Sequence, residues 1–263
     1  MKRYLMITKK HLAAGILALA GLIILVLIAG PLEHIAVPAA SYTPAWSFDR
    51  ARQLPIYGVA TEKKQLAITF NAAWEADDIP ALLALLKQQD VVSTFFLVGQ
   101  WAEKNPREAK LIAEAGHEIG NHSYAHPDMT KLTASQIEAD ITKADAVIQQ
   151  ATGVFPKYFR APSGSYNDTV IELAKKLNHI PVQWTIDSLD WKKPSPDEIA
   201  TRVLKEADNG SIILFHTAIE NTRTALPGII ASLRKQGYSF VKVSELIYTG
   251  DYTIDYQGIQ HTR

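Results

Sequence analysis

The 263-residue chain predicts an α/β fold, a parallel sheet of about seven strands alternating with helices, preceded by a transmembrane helix. Three observations carry this. β-like and helix-like segments alternate from Gln65 to Val243. A run without any charged residue extends from Leu12 to Leu32. Polar clusters follow the predicted strands, where sheets and barrels of this class mount their chemistry.

Leu12–Gly30 alone supplies 19 apolar or small residues. At a helical rise of ~1.5 Å per residue that spans about 28 Å, close to a bilayer's hydrocarbon thickness. Lys2, Arg3, Lys9 and Lys10 precede the run, which predicts an inside N-terminus and an exported remainder in a single-pass cell-membrane protein. A cleaved signal peptide ending near Ala40 is the rival, and the apolar stretch is long for that role. The predicted organisation is a basic cytoplasmic segment (1–11), an anchor or signal (12–32), a linker (33–60) that begins to pack near Trp46, and a domain (61–263). Lys+Arg and Asp+Glu both number 27, so charge points to no nucleic-acid partner. The absence of cysteine excludes disulfides, thiol nucleophiles and Cys-ligated zinc.

In order, "QLAITF" (65–70) is a β-branched apolar strand and "IPALLALLKQQ" (79–89) has helical spacing. "VVSTFFLVG" (91–99) is a strand, and 105–116 is a helix stopped by Gly116. The helix over 133–153 opens on a Thr133–Gln136 capping box. "KYFRA", a helix over 168–177, strand "HIPVQWTI" and a helix over 196–208 follow. Strand "SIILFH", a helix over 221–236 and strand "YSFVKV" complete the series. Periodicity by itself fits either an irregular (β/α) barrel or a doubly wound sheet.

The polar clusters carry the chemistry. His122 and His126 stand four apart, a spacing that on a helical turn aims both imidazoles at one metal ion. Arg160 ends a strand ahead of the turn Pro162–Gly164–Asn167, suited to clamping a carboxylate or aiming N–H groups at an oxyanion. Asp187 and Asp190 end another strand beside Trp191, able to orient a histidine or cap a helix. His216 sits at a strand tip, suited to proton transfer at neutral pH.

Taken in order, "TFNAAW", "HSYAH", "RAPSG", "DSLDW" and "IILFH" resemble the motifs of the polysaccharide deacetylases, the NodB homology domain of carbohydrate esterase family 4. The resemblance spans Gln65 to Leu246. It implies a distorted (β/α) barrel and metal-assisted hydrolysis of acetyl groups on glycans. By the same resemblance His122 and His126 would ligate a divalent metal, zinc by preference. Arg160 would orient the base, and the backbone near Ser163 would hold the oxyanion. Asp190 would pair with the general acid His216, while Trp191 and Leu214 would line the acetyl pocket. The implied partner is an N-acetylated cell-wall glycan, with likeness to members from spore-forming bacteria suggesting a sporulation or envelope role.

One strand tip departs from the family. The base Asp is replaced by Asn71 and the third metal ligand, also Asp, by Ala72. An amide accepts no proton from water at neutral pH, and a methyl group binds no cation. Glu75, Asp77 and Asp78 lie just downstream and are the acids that would have to substitute; equally, they suit a helix N-terminus. Two functions follow as expectations: a weakened amide hydrolase, or a non-catalytic glycan-binding envelope protein on the same fold.

Overall fold

The computed structural model describes residues 52–263, so the expected anchor, Ala40 and Trp46 lie outside the described residues. Among the described residues no helix is long and apolar enough to cross a membrane. The chain runs β1 (Gly58–Val59), β2 (Gln65–Ala72), α1 (Ile79–Gln88), β3 (Thr94–Leu97), α2 (Gly99–Lys104), α3 (Pro106–Glu114) and β4 (Glu118–Asn121). It continues with α4 (Ala134–Thr152), β5 (Tyr158–Phe159), α5 (Asp168–Lys176), β6 (Ile180–Pro181), β7 (Ile186–Asp187) and α6 (Pro196–Glu206). Last come β8 (Ile212–His216), α7 (Glu220–Lys235), β9 (Ser239–Phe240), α8 (Val243–Leu246), β10 (Tyr252–Ile254) and β11 (Ile259–Thr262).

The main sheet is ordered β6-β5-β4-β3-β2-β8-β7 with every pair parallel, and β9 joins the start of β2. Strands β2 to β6 step along the sheet without the reversal that a doubly wound sheet requires. Seven parallel strands therefore curl into a half-barrel, the distorted barrel expected. The predicted single strand over 179–186 splits into β6 and β7 for a physical reason. Val182 N–H bonds Phe159 C=O on the β5 side (2.8 Å), whereas Thr185 N–H bonds Ile212 C=O of β8 (3.0 Å). This segment crosses from one sheet edge to the other, across the seam where no ladder joins β6 to β7 among the described strands.

Strand β2 is central and buried on both faces, as its near-continuous apolar sequence requires. Its side chains alternate. Leu66, Ile68, Phe70 and Ala72 belong to the large core cluster shared with α1, α3 and α7. Ala67, Thr69 and Asn71 take the opposite face. Phe70 stacks on Phe95 (4.9 Å between centroids) and lies 5.8 Å from Phe215, tying three adjacent strands together.

The described end of the expected 33–60 linker packs on the domain. Ile56 and Val59 are buried, and β1 pairs with β11 in a separate three-stranded sheet. The α4 helix begins at the Thr133–Gln136 capping box and ends at Gly153 in the left-handed region (φ 75).

Buried His117 accepts the Ser93 N–H at Nδ1 (3.1 Å), which only an unprotonated ring nitrogen can do. Burial pushes its pKa down to about 4. A folded value below the unfolded one makes stability present at neutral pH and lost as pH falls. Urea unfolding should show up to about 3 kcal/mol of this loss between roughly pH 6.5 and 4, and His117→Gln should remove that share.

Candidate active site

The C-terminal strand ends converge on one mouth. Asn71 (β2) and His216 (β8) are register partners on adjacent strands. His122 follows β4, Arg160 follows β5, and Asp190 lies three residues past β7.

Arg160 organises the centre. Its side chain is fully buried, yet its polar partners are neutral: Nη1 donates to Thr69 Oγ1 and Asn71 Oδ1 (both 3.0 Å), and Nη2 donates to the Gln183 C=O (2.9 Å). The guanidinium lies 3.9 Å from the Phe96 ring centroid and 5.4 Å from that of Trp184, so aromatic faces supply further stabilisation. Nε has no acceptor. Burial lowers the pKa to about 9, which leaves the group cationic at neutral pH. The expectation that Arg160 clamps a carboxylate is thus not met, because the position facing it carries an amide.

His122 is buried, with Nδ1 2.8 Å from the Arg160 C=O. A carbonyl only accepts, so Nδ1 carries the hydrogen and Nε2 keeps its lone pair. That Nε2 is buried without a partner. Burial, and then the neighbouring His126, holds the His122 pKa well below its ordinary value, so the ring is neutral. His126 does not reach it through a helical turn. Residues 122–126 form a loop in which Asn121 Oδ1 accepts the Ser123 N–H (2.7 Å) and Asp140 accepts from Tyr124 N–H (2.8 Å) and Ala125 N–H (3.2 Å). Ser123 Oγ accepts the His126 N–H (2.9 Å), and His126 itself takes φ 55. The two rings nonetheless meet edge to face, 4.9 Å apart. Desolvation in the cleft, followed by the charge of His216, lowers the His126 pKa.

Asp190 is fully buried and saturated. Oδ1 lies 2.7 Å from His216 Nδ1, and Oδ2 accepts the His216 N–H (2.8 Å) and the Thr222 hydroxyl (2.7 Å). This fixes the imidazole with Nε2 outward, the orientation a proton donor needs. Leu214 is buried two residues earlier on the same face of β8. Ser163 is exposed at the apex of the Pro162–Gly164 turn with φ 54. Trp191 is 46% exposed, with Lys192 Nζ 5.0 Å from its ring centroid. Asp187 spends Oδ1 on the Leu189 N–H (2.8 Å).

The downstream acids do not repair the tip. Glu75 and Asp77 are exposed. Asp78 accepts the Ala218 N–H (2.9 Å) and lies 3.9 Å from Arg223, bracing the loop after His216, and its other oxygen is buried without a partner. Desolvation raises its pKa. Ala72 is fully buried in the large core cluster. Among the described residues no group of three or more His, Cys, Asp or Glu could hold a metal. His122 and His126 offer two imidazole donors, and the set does not fit catalytic zinc, which takes three protein ligands.

Sequence reading missed several participants. Thr69, Gln183, Asn121, Asp140 and Thr222 act through contacts between strands and helices distant in sequence. Trp74 was also missed: its indole lies 5.1 Å from the His216 ring, tilted 30°.

Residues 58–182 match the polysaccharide deacetylase family. The chain is 36% identical over 191 residues to a peptidoglycan-N-acetylglucosamine deacetylase of Bacillus cereus, covering 71% of this chain and 70% of the relative. It is 40% identical over 204 residues to protein YlxY of Bacillus subtilis, a match over 78% of this chain that spans 64% of the relative's length. The structure of a CE4 family pseudoenzyme from Bacillus anthracis matches with a TM-score of 0.72 at 36% identity, covering 80% of this chain and 73% of that one. A mutant of that pseudoenzyme with restored enzymatic activity matches with a TM-score of 0.71 at 39% identity, covering 73% of this chain and 70% of the other. The chain belongs to the polysaccharide deacetylase family.

Asn71→Asp should stabilise the protein by giving buried Arg160 a counter-charge 3.0 Å away. The new carboxylate's folded pKa would lie below its unfolded value. The gain, about 1–3 kcal/mol, should therefore be present at neutral pH, begin to fall below roughly pH 4, and be lost as pH drops through the lower folded value. Denaturant midpoints at the two pH values check this.

Proposed function

We propose that this chain is a non-hydrolysing polysaccharide deacetylase homologue that holds N-acetylated cell-wall glycan in the mouth of its half-barrel. The apolar run at 12–32 supports an anchor in the cell membrane with the domain outside. Peptidoglycan deacetylases among the relatives support the glycan class. One observation carries the loss of hydrolysis: the β2 tip presents a neutral amide committed to Arg160 and a buried methyl group, in place of base and third ligand. In this reading Arg160 positions Asn71, the Ser163 turn and Leu214 shape the groove, and His122, His126 and the Asp190–His216 pair supply polar contacts to the acetamido group.

The intact Asp190–His216 pair favours a second reading, a slow hydrolase in which His216 still protonates the leaving amine. Acetate release from chitotetraose by the full-length chain separates the two. Wild type and His126→Ala should give the same background; release that depends on His126 would establish the hydrolase. The double variant Asn71→Asp/Ala72→Asp should gain zinc and turnover, with the residue-72 carboxylate turning from the core face toward His122 and His126. Ala72→Asp alone, measured in chelator, should melt lower by the cost of burying a carboxylate, about 1–3 kcal/mol or more, with added zinc reversing part of the loss.

A further inference from the structure

We propose that Trp74 is a saccharide-binding residue of this mouth, a platform on which an uncharged N-acetylhexosamine ring stacks beside His216. The inference rests on the glycan-holding reading above and gives that reading a specific contact.

Among the described residues two tryptophans are exposed, Trp74 (47%) and Trp191 (46%). Only the first is seated against a histidine of the site. Trp74 packs its ring 5.1 Å from His216, and Trp191 follows Asp190, which holds His216 at 2.7 Å. An indole left half in water forgoes much of the free energy its burial would supply. An exposed indole packed against a histidine that Asp190 fixes sets an apolar face beside convergent polar groups, the usual composition of a small-ligand site.

The loop bearing Trp74 is pinned on both sides. Ala73 is partly buried against the core and Ala76 is buried. The Glu75 C=O accepts the Trp101 indole N–H (3.3 Å), and Asp78 accepts the Ala218 N–H (2.9 Å). Little ordering is therefore required of the platform on binding, which favours affinity. Pyranose rings present patches of C–H bonds on their faces, and these pack on an aromatic face while the hydroxyls stay hydrated. Exposed Glu75 and Asp77 sit on the same loop and disfavour a ring bearing a carboxylate.

Calorimetric titration of chitotetraose into the full-length chain tests this, with Trp74→Phe and Trp74→Ala as variants and a melting curve confirming that each folds. Trp74→Ala should weaken binding about ten-fold, the scale of a buried aromatic contact, and Trp74→Phe should retain most of the affinity. Wild-type binding that Trp74→Ala leaves unchanged or tightens would overturn the platform while leaving glycan binding in place. A wild type that binds no chitotetraose would overturn the glycan-holding reading itself. Tighter binding of an N-acetylmuramic-acid oligosaccharide than of chitotetraose would refute the preference for an uncharged ring.

Discussion

The mouth of this half-barrel depends on a buried guanidinium whose hydrogen-bond acceptors are all neutral, with Asp187 the one carboxylate whose charge reaches it among the described residues. Arg160 is fully buried and reaches neutral oxygens on β2 and on the crossing segment between β6 and β7. Its own C=O fixes the His122 ring. Desolvating a cation is expensive unless its hydrogen bonds are met. The three acceptors and two aromatic faces around it are what allow the charge to remain inside. One side chain thus links the β2 tip, the histidine loop and the seam of the barrel.

Position 71 shows what this arrangement tolerates. An amide accepts the same hydrogen bond that a carboxylate would, so the architecture survives the loss of the base. The tip itself, however, offers neither base nor ligand, because an amide takes no proton from water at neutral pH and the neighbouring methyl group binds no cation. Structure and reactivity here rest on different properties of one atom pair: geometry for the first, charge for the second. On the neighbouring strand, buried Asp190 binds His216 through both ring and backbone, and these hydrogen bonds do not involve the altered side chains.

Long, strongly patterned elements were legible from sequence. β2, α4 and β8 appear where apolar periodicity and the capping box place them, since those signals are local. β5 falls inside the predicted "KYFRA" segment, whereas the division of 179–186 into β6 and β7 was not legible, because each is two residues long and is defined by its partner across the sheet. The histidine pair was found through an i,i+4 spacing that the chain realises as a loop. Asn121, Asp140 and Ser123 replace the helix as the source of geometry. Trp74 ends the "TFNAAW" motif but received no role there, and its meaning arises only when β8 is brought beside β2.

The order of polar clusters after apolar strands pointed, without any coordinates, to the class of fold and to several residues of its mouth. Residue chemistry at positions 71 and 72 likewise determined what that mouth lacks. Tertiary structure alone decided which oxygens receive Arg160, that Asp78 is committed to the loop after His216, and that Ala72 faces the core. These depend on contacts between segments far apart in the chain, and local sequence holds no record of which distant group will arrive.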